Sequence, residues 1–222
     1  MKARPIRCLV SAGPTREFFD PVRFVTNPSS GKMGYALAAA AQQIGWEVDL
    51  VSGPVALPAP EGVRVHPVVT GADMFEAMDA RFDACDVLIM TAAIVDFKPR
   101  AQADHKIKKH ELEMVIEMDP VVDVLATISK RKQHQLILGF AAETNNLEEY
   151  ALRKLKQKNA DWIAANQIGG PDSAFEKDSN TLYLFGKAGE KLQIGPAPKV
   201  KIAARVIEFL SEDLRRIAKT KA

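Results

Sequence analysis

The stretch Asn27 to Gly34 reads NPSSGKMG, and its residue types suit the binding of an anion. Small residues at a helix start leave backbone N–H groups pointing out of the first turn, where the helix dipole favours negative charge. Ser29 and Ser30 can cap the helix or donate hydroxyls to a ligand, and Gly31 and Gly34 let backbone or ligand come close. Lys32 adds a cation where a phosphate would lie. The stretch is not a Walker A loop, because Thr26 and Met33 stand where that pattern needs Gly and Ser or Thr. Two arginines, Arg16 and Arg23, lie just upstream. A second basic group follows at Lys98, Arg100, Lys106, Lys108 and Lys109. A charge run of that kind is usually a solvated loop. Its place after a buried strand makes a triphosphate or another polyanion the alternative.

The elements that must hold these residues read as an alternation of strands and helices. Ile6–Ser11 is a first, central strand, ending in the turn cluster Ala12–Glu17 with Gly13. In open α/β sheets ligands bind at such strand ends. Phe18–Thr26 is a long excursion, with strand character from Arg23 to Thr26, and a helix follows from about Ser30 to Gly45, its cap. Trp46–Val51 is the next strand, and Val63–Val69 another, at an edge or an end because of Pro67. Gly71–Phe82 is an amphipathic helix whose Met74, Phe75, Met78 and Phe82 form a core stripe. Cys85–Ala93 is nearly all apolar, as a strand buried on both faces is. Leu112–Met118 alternates weakly and reads as one strand of a flap or hairpin within about 94–118.

Farther on, Asp119–Asp123 opens a helix, with Pro120 in its first turn, that runs to about Arg131. Gln135–Ala142 is a buried strand, Leu147–Lys158 a helix, and Asp161–Asn166 a short strand. Lys154 and Lys158, four apart, share a helix face, although basic residues near a helix end are ordinary dipole partners. Gly169–Asn180 is a polar loop, Thr181–Phe185 a strand, and about Lys199–Ile217 a closing helix with a frayed tail from Lys219. The pattern is that of a doubly wound, mostly parallel, Rossmann-like α/β fold in a single domain over residues 1–222, with a basic flap inserted.

Length and composition agree. The 222 residues are 47% hydrophobic and 26% charged, enough for a sizeable core. A net charge of +2 argues against a dedicated nucleic-acid binder. Cys8 and Cys85 sit in apolar runs and read as buried free thiols of a reducing, cytoplasmic setting, with no metal-ligand spacing. The opening MKARPIRCLV lacks the apolar stretch and cleavage site of a signal peptide, and no run reaches membrane-spanning length.

Four separated segments, SAGPTRE with DPVRFVTNPSSGKMG, TAAIVDF, KIKK and GFAAETNN, together resemble phosphopantothenoylcysteine synthetase, the ligase of coenzyme A biosynthesis. The resemblance runs from Ile6 to about Leu214. It implies condensation of 4'-phosphopantothenate with cysteine at the expense of CTP. A carboxylate attacks the α-phosphate to give an acyl-cytidylate and pyrophosphate, then the amine of cysteine displaces CMP. It also implies Mg2+ or Mn2+ alongside the triphosphate, with metal ligands left unknown, and a homodimer whose substrate site the partner completes. A flavin-dependent decarboxylase, fused or separate, is a further implied partner. A stand-alone synthetase and an excised domain both fit.

Carried over residue by residue, Asn27 matches the family asparagine that binds the pantothenate portion and positions the acyl intermediate. Arg23 matches an arginine of the same loop, and Lys106 the lysine implicated in chemistry at the triphosphate. Ala93 and Asp96 match the segment beside the nucleotide. Pro120, Val121, Val122 and Asp123 match nucleotide-site positions, as do Phe140, Lys154 and Lys158. Pro28 stands where histidine is common and Val95 where alanine is common, neither of them a reacting group. Two rivals share the α/β pattern: a Rossmann oxidoreductase, which leaves KIKK and the missing glycine fingerprint unexplained, and a non-catalytic nucleotide-binding module.

Overall fold

The structure, a computed structural model, describes residues 4–108, 115–168 and 179–220. Its centre is an eight-stranded sheet. β1 (Arg7–Ala12) lies between β4 (Glu47–Ser52) and β6 (Val87–Met90), and both pairings are parallel. β5 (Arg64–Pro67) flanks β4 at one edge, where Pro67 can be tolerated. On the other side come β9 (Leu136–Glu143) and β10 (Trp162–Gln167), also parallel. β11 (Ser179–Gly186) and β12 (Lys191–Pro198) then extend the sheet antiparallel. The full order is β12-β11-β10-β9-β6-β1-β4-β5. From β1 the chain winds outward through β4 to β5, then crosses back to β6 on the opposite side of β1. Strand order therefore reverses between β1 and β6, which is where a doubly wound sheet opens a crevice at its carboxyl ends.

Helices cover both faces, as the apolar strands require. α1 (Lys32–Gln43) and α5 (Lys199–Thr220) bury Leu37, Ala41, Ile202 and Val206 against one face. α2 (Gly71–Phe82), α3 (Val124–Ile128) and α4 (Leu147–Gln157) bury Met74, Met78, Phe82, Ile128 and Leu155 against the other. Strand β6 shows the division residue by residue. Val87 and Ile89 belong to the first core, and Leu88 and Met90 to the second. α2 keeps the expected bounds because Thr70 and Asp73 form a capping box at its start. α1 ends in a Schellman turn: Gly45, at φ 86°, donates to the Gln42 carbonyl, and Trp46 to that of Ala41.

Several expectations need correction. Neither Ser29 nor Ser30 caps α1. Its cap position is Gly31, at φ 73°, with no side-chain cap bond. The turn cluster at 12–17 already carries β2 (Arg16–Phe18), which pairs antiparallel with β3 (Phe24–Thr26), so the long excursion is a hairpin. The apolar run from Cys85 yields only the short β6. Pro120 is not in a helix; it ends β8 (Met118–Pro120), which pairs with β7 (Phe97–Pro99), and α3 starts later behind its cap Asp123. Beyond α3, one 3-10 turn reaches Arg131 as expected. Ser179 and Asn180 belong to β11 rather than to a loop. The proposed strand at 112–118 falls partly outside the described residues, as does Lys109, and of its described part, 115–118, only Met118 is in a strand. The closing helix continues to Thr220.

Candidate active site at the switch point

The ends of β1 and β6 are fastened beyond the sheet ladder. Ser11 is fully buried, and its hydroxyl accepts from the backbone N–H groups of Thr91 and Ala92, both at 3.1 Å. The Thr91 hydroxyl donates back to the Ser11 carbonyl at 2.5 Å. Next along the chain, Ala93 N–H donates to the Gly13 carbonyl at 2.9 Å, and Val95 N–H to the buried Thr15 hydroxyl at 3.0 Å. A buried polar group must be satisfied or it costs stability. These bonds therefore fix the loop 91–96 in one course across the strand ends.

Above that seam a cleft of about 730 Å3 opens, within the usual size range of small-molecule sites. One wall is the loop from Asn27 into α1, ending at Gly34. The Asn27 side-chain amide donates to the carbonyls of Ala93 (3.3 Å) and Ile94 (3.1 Å), which binds this wall to the β6 loop. Gly31 allows the sharp entry into the helix. A Cβ there would lie 2.8 Å from the Val55 Cγ1 and 3.4 Å from Gly13. With no side chain capping it, the positive end of α1 opens on the cleft beside Lys32.

The opposite wall comes from β8 to α3 and from α4. Asp123 places one carboxylate oxygen on the Ala126 N–H at 3.0 Å, capping α3, and the other on the Lys158 ammonium. Burial pushes the Lys158 ammonium below its ordinary pKa, and the charge of Asp96 works against that. Lys154, one turn earlier on α4, pairs with Glu143 at the end of β9, 2.9 Å away. Phe140 and Ile163 contribute apolar lining, and Val121 and Val122 the apolar approach. The arrangement offers apolar lining, a positive helix end and lysine groups, and carboxylates beside them, which suits a base attached to phosphates.

Most residues singled out from sequence converge here: Asn27, Ser29, Ser30, Gly31, Lys32, Ala93, Asp96, Val121, Val122, Asp123, Phe140, Lys154 and Lys158 all line the cleft. Gly13 does not line it but backs onto Gly31. Pro120 lies in β8, one residue outside the lining. Arg23 and Lys106 also lie outside it. Arg23 is bound to Asp20 at 2.5 Å and to the Ile107 carbonyl at 2.9 Å. Arg100 is absorbed by Glu117 and Asp119, at 2.9 and 3.0 Å, so it braces the antiparallel β7–β8 pair. The sequence reading missed Asn166, Asn180 and Lys199, which close the cleft from the β10–β12 side. Lys199, the first residue of α5, is 7% exposed, and nothing in that place at the start of an amphipathic helix separates it, in sequence, from a solvated charge.

Among the described residues no helix is long and apolar enough to cross a membrane, and no group of three or more His, Cys, Asp or Glu side chains is placed to hold a metal.

The chain is 44% identical over 204 residues to the coenzyme A biosynthesis bifunctional protein CoaBC of Bacillus subtilis, covering 91% of this chain and 50% of that protein. It is likewise 44% identical over 191 residues to the protein of the same name from Escherichia coli, covering 84% and 47%. It thus spans about half the length of the curated relatives it matches. A crystal structure of the C-terminal domain of CoaBC superposes with a TM-score of 0.81 at 42% identity, covering 95% of this chain and 96% of that one. The family profile described as the DNA/pantothenate metabolism flavoprotein C-terminal domain matches residues 4–214, and the chain is a member of that family.

Proposed function

We propose that this chain condenses 4'-phosphopantothenate with L-cysteine using CTP, through an acyl-cytidylate, with release of pyrophosphate and then CMP. One observation carries the reading. A single switch-point cleft gathers, from separate parts of the chain, nearly all the residues that the resemblance assigns to substrate and nucleotide. Family membership supports it.

The cleft has chemistry for both ends of the reaction. The open start of α1 with Ser29, Ser30 and Lys32 suits a phosphate, and Asn27 stands where an acyl group held by that phosphate could lie. Lys154 and Lys158 would neutralise phosphate charge on the far wall, with Phe140 available to the base. Holding both reactants in one cleft turns a bimolecular attack into a local one. A magnesium or manganese ion travelling with a triphosphate takes most of its ligands from phosphate and water, and Asp96 and Asp123 are the lining carboxylates that could add one. The reading includes a homodimer, a decarboxylase partner fused or separate, and a cytoplasmic setting, the last supported by two buried free thiols.

The test is incubation with 4'-phosphopantothenate, cysteine, magnesium and each of CTP, ATP, GTP and UTP, with products identified by mass. The expected result is the cysteinyl amide with CMP and pyrophosphate, fastest with CTP. CDP and phosphate in their place would overturn the acyl-cytidylate route. No nucleotide turnover would overturn the ligase assignment.

A further inference from the structure

Asp20 sits at the turn between β2 and β3, with Pro21 next, and its side chain is fully buried although it carries charge. Its carboxylate is saturated. One oxygen accepts the N–H groups of Val22 and Arg23, both at 2.8 Å. The other accepts the Arg23 guanidinium at 2.9 and 2.5 Å and the N–H of Ile107 at 3.2 Å. Arg23 then reaches past Asp20 to the carbonyl of Ile107 at 2.9 Å. Both polar groups of the Ile107 backbone are therefore held, one by each member of the ion pair. A third bond, from Ala103 N–H to the Phe19 carbonyl at 3.0 Å, lays the same segment along the hairpin turn. The Arg23 guanidinium also lies over the Phe19 ring, 5.3 Å from its centre.

Ile107 is flanked by Lys106 and Lys108, both exposed. Gripping the residue between them fixes where each lysine leaves the backbone while leaving the long side chains free to reach. We propose that Asp20, acting with Arg23, is a positioning residue that sets the place of Lys106 relative to the cleft. The inference rests on the reading of Lys106 as the lysine that works at the triphosphate. It makes Arg23 a positioning residue too, rather than one that touches substrate. Charge-assisted bonds to a buried carboxylate are the strong kind, so the grip is firm. The Arg23 guanidinium and the surrounding N–H groups hold the Asp20 carboxyl far below the usual carboxylate range, so the grip does not loosen at neutral pH.

The experiment uses Asp20→Asn, Arg23→Gln, Lys106→Gln and the double variant Asp20→Asn with Lys106→Gln. Amide hydrogen exchange is read at Ile107 and, as a control, at the buried residues of β1. Single-turnover acyl-cytidylate formation is read with CTP, magnesium and 4'-phosphopantothenate. Asp20→Asn should speed Ile107 exchange at least about tenfold while β1 stays protected, and should slow the first step roughly 100-fold, the usual scale of a displacement of about 1 Å. The double variant should be no slower than Lys106→Gln alone. Arg23→Gln, which leaves the Asp20 carboxylate in place, should give the same pattern if Asp20→Asn does not fold. Unchanged exchange at Ile107 would overturn the grip. Losses that multiply in the double variant would show that Asp20 does not act through Lys106, and would sink the proposal while leaving the lysine's role intact. A Lys106→Gln variant that forms the intermediate at the parental rate removes that role, and the positioning claim with it.

Discussion

Asn27 donates its side-chain amide to the backbone carbonyl of Ile94 at 3.1 Å, with a second contact to that of Ala93 at 3.3 Å. The donor end of this asparagine is thus committed to the β6 loop, and its carbonyl oxygen is the end left for a substrate. Asn27→Asp would set a carboxylate oxygen against two carbonyl oxygens. The loop would shift, and negative charge would enter a cleft built for anions. Amide formation should slow by on the order of 100-fold, and acyl-cytidylate formation by less, because the acyl group is what this residue orients. Rapid-quench measurement of both steps decides it, and equal slowing of the two would refute a selective role in the second.

Gly34 is where α1 crosses the fastened strand ends. A Cβ there would lie 2.5 Å from the Thr91 hydroxyl, 2.6 Å from the Ala12 Cβ and 3.1 Å from the Ser11 carbonyl. None of these can retreat without disturbing the Ser11–Thr91 bonds. Gly34→Ala should therefore cost about 1–3 kcal/mol, the range for overpacking a close contact, despite the better helix propensity of alanine. Urea unfolding gives the number. A gain in stability would mean that helix and sheet are not in close contact here.

What was legible depended on how local the cause is. The bounds of α2 follow from its apolar period and from Thr70 and Asp73, all within one short stretch. The buried strands were found because both of their faces are apolar, although the run Cys85–Ala93 overran β6 at both ends. β12 did not, since its sequence, KLQIGPAP, holds two prolines and a glycine; an edge strand tolerates these, while a short window treats them as breakers. Pro120 misled in the opposite sense, because a proline before a helical stretch also suits the end of a strand. The candidate site residues of the α1 loop were visible through their motif, whereas Lys154 and Lys158 on α4 were singled out only by the family resemblance, since their spacing alone reads as ordinary helix-end charge. Asp20 was not, for its meaning comes from Ile107, 87 residues away along the chain. Long-range burial of a charge leaves no trace in composition or period.

Lys158 is half-buried between Asp123 and the cleft, with its pKa lowered chiefly by burial. It sheds its proton at lower pH than the ordinary lysine value of 10.5. If it binds phosphate, affinity for CTP should fall as pH rises, beginning earlier than an exposed lysine would allow. Lys158→Gln should weaken CTP binding by about tenfold or more at neutral pH, given the roughly 1.5–3 kcal/mol of a charged hydrogen bond. Lys158→Arg should retain much of the binding and abolish the alkaline fall, because arginine stays protonated. Calorimetric titration from pH 7 to 9.5 is the measurement. An alkaline limb that persists in Lys158→Arg would assign it to another group.

The two thiols give a prediction that is independent of any ligand. Burial pushes the Cys85 thiol up to about 12, with the charges of Asp86 and Asp83 adding to it. Burial and the neighbouring Cys85 raise Cys8 well above its ordinary value. A thiolate is the reactive form, so the folded protein should resist iodoacetamide at pH 8.5, and both residues should react once urea unfolds it. The linkage has a definite sign. The folded pKa is the higher one, so the stabilisation is complete below the unfolded value near 9.0 and is lost as pH climbs towards 12. Above pH 9 the unfolded chain gives up protons that the folded chain keeps, at a cost of about 1.4 kcal/mol per pH unit for each thiol. Cys85→Ala removes one of the two. Its stability should therefore fall less steeply than the parent's between pH 9 and 10.5, whatever offset the lost sulfur causes at pH 7. Urea midpoints across that range provide the slopes, and parallel slopes would show that Cys85 does not keep its proton on folding.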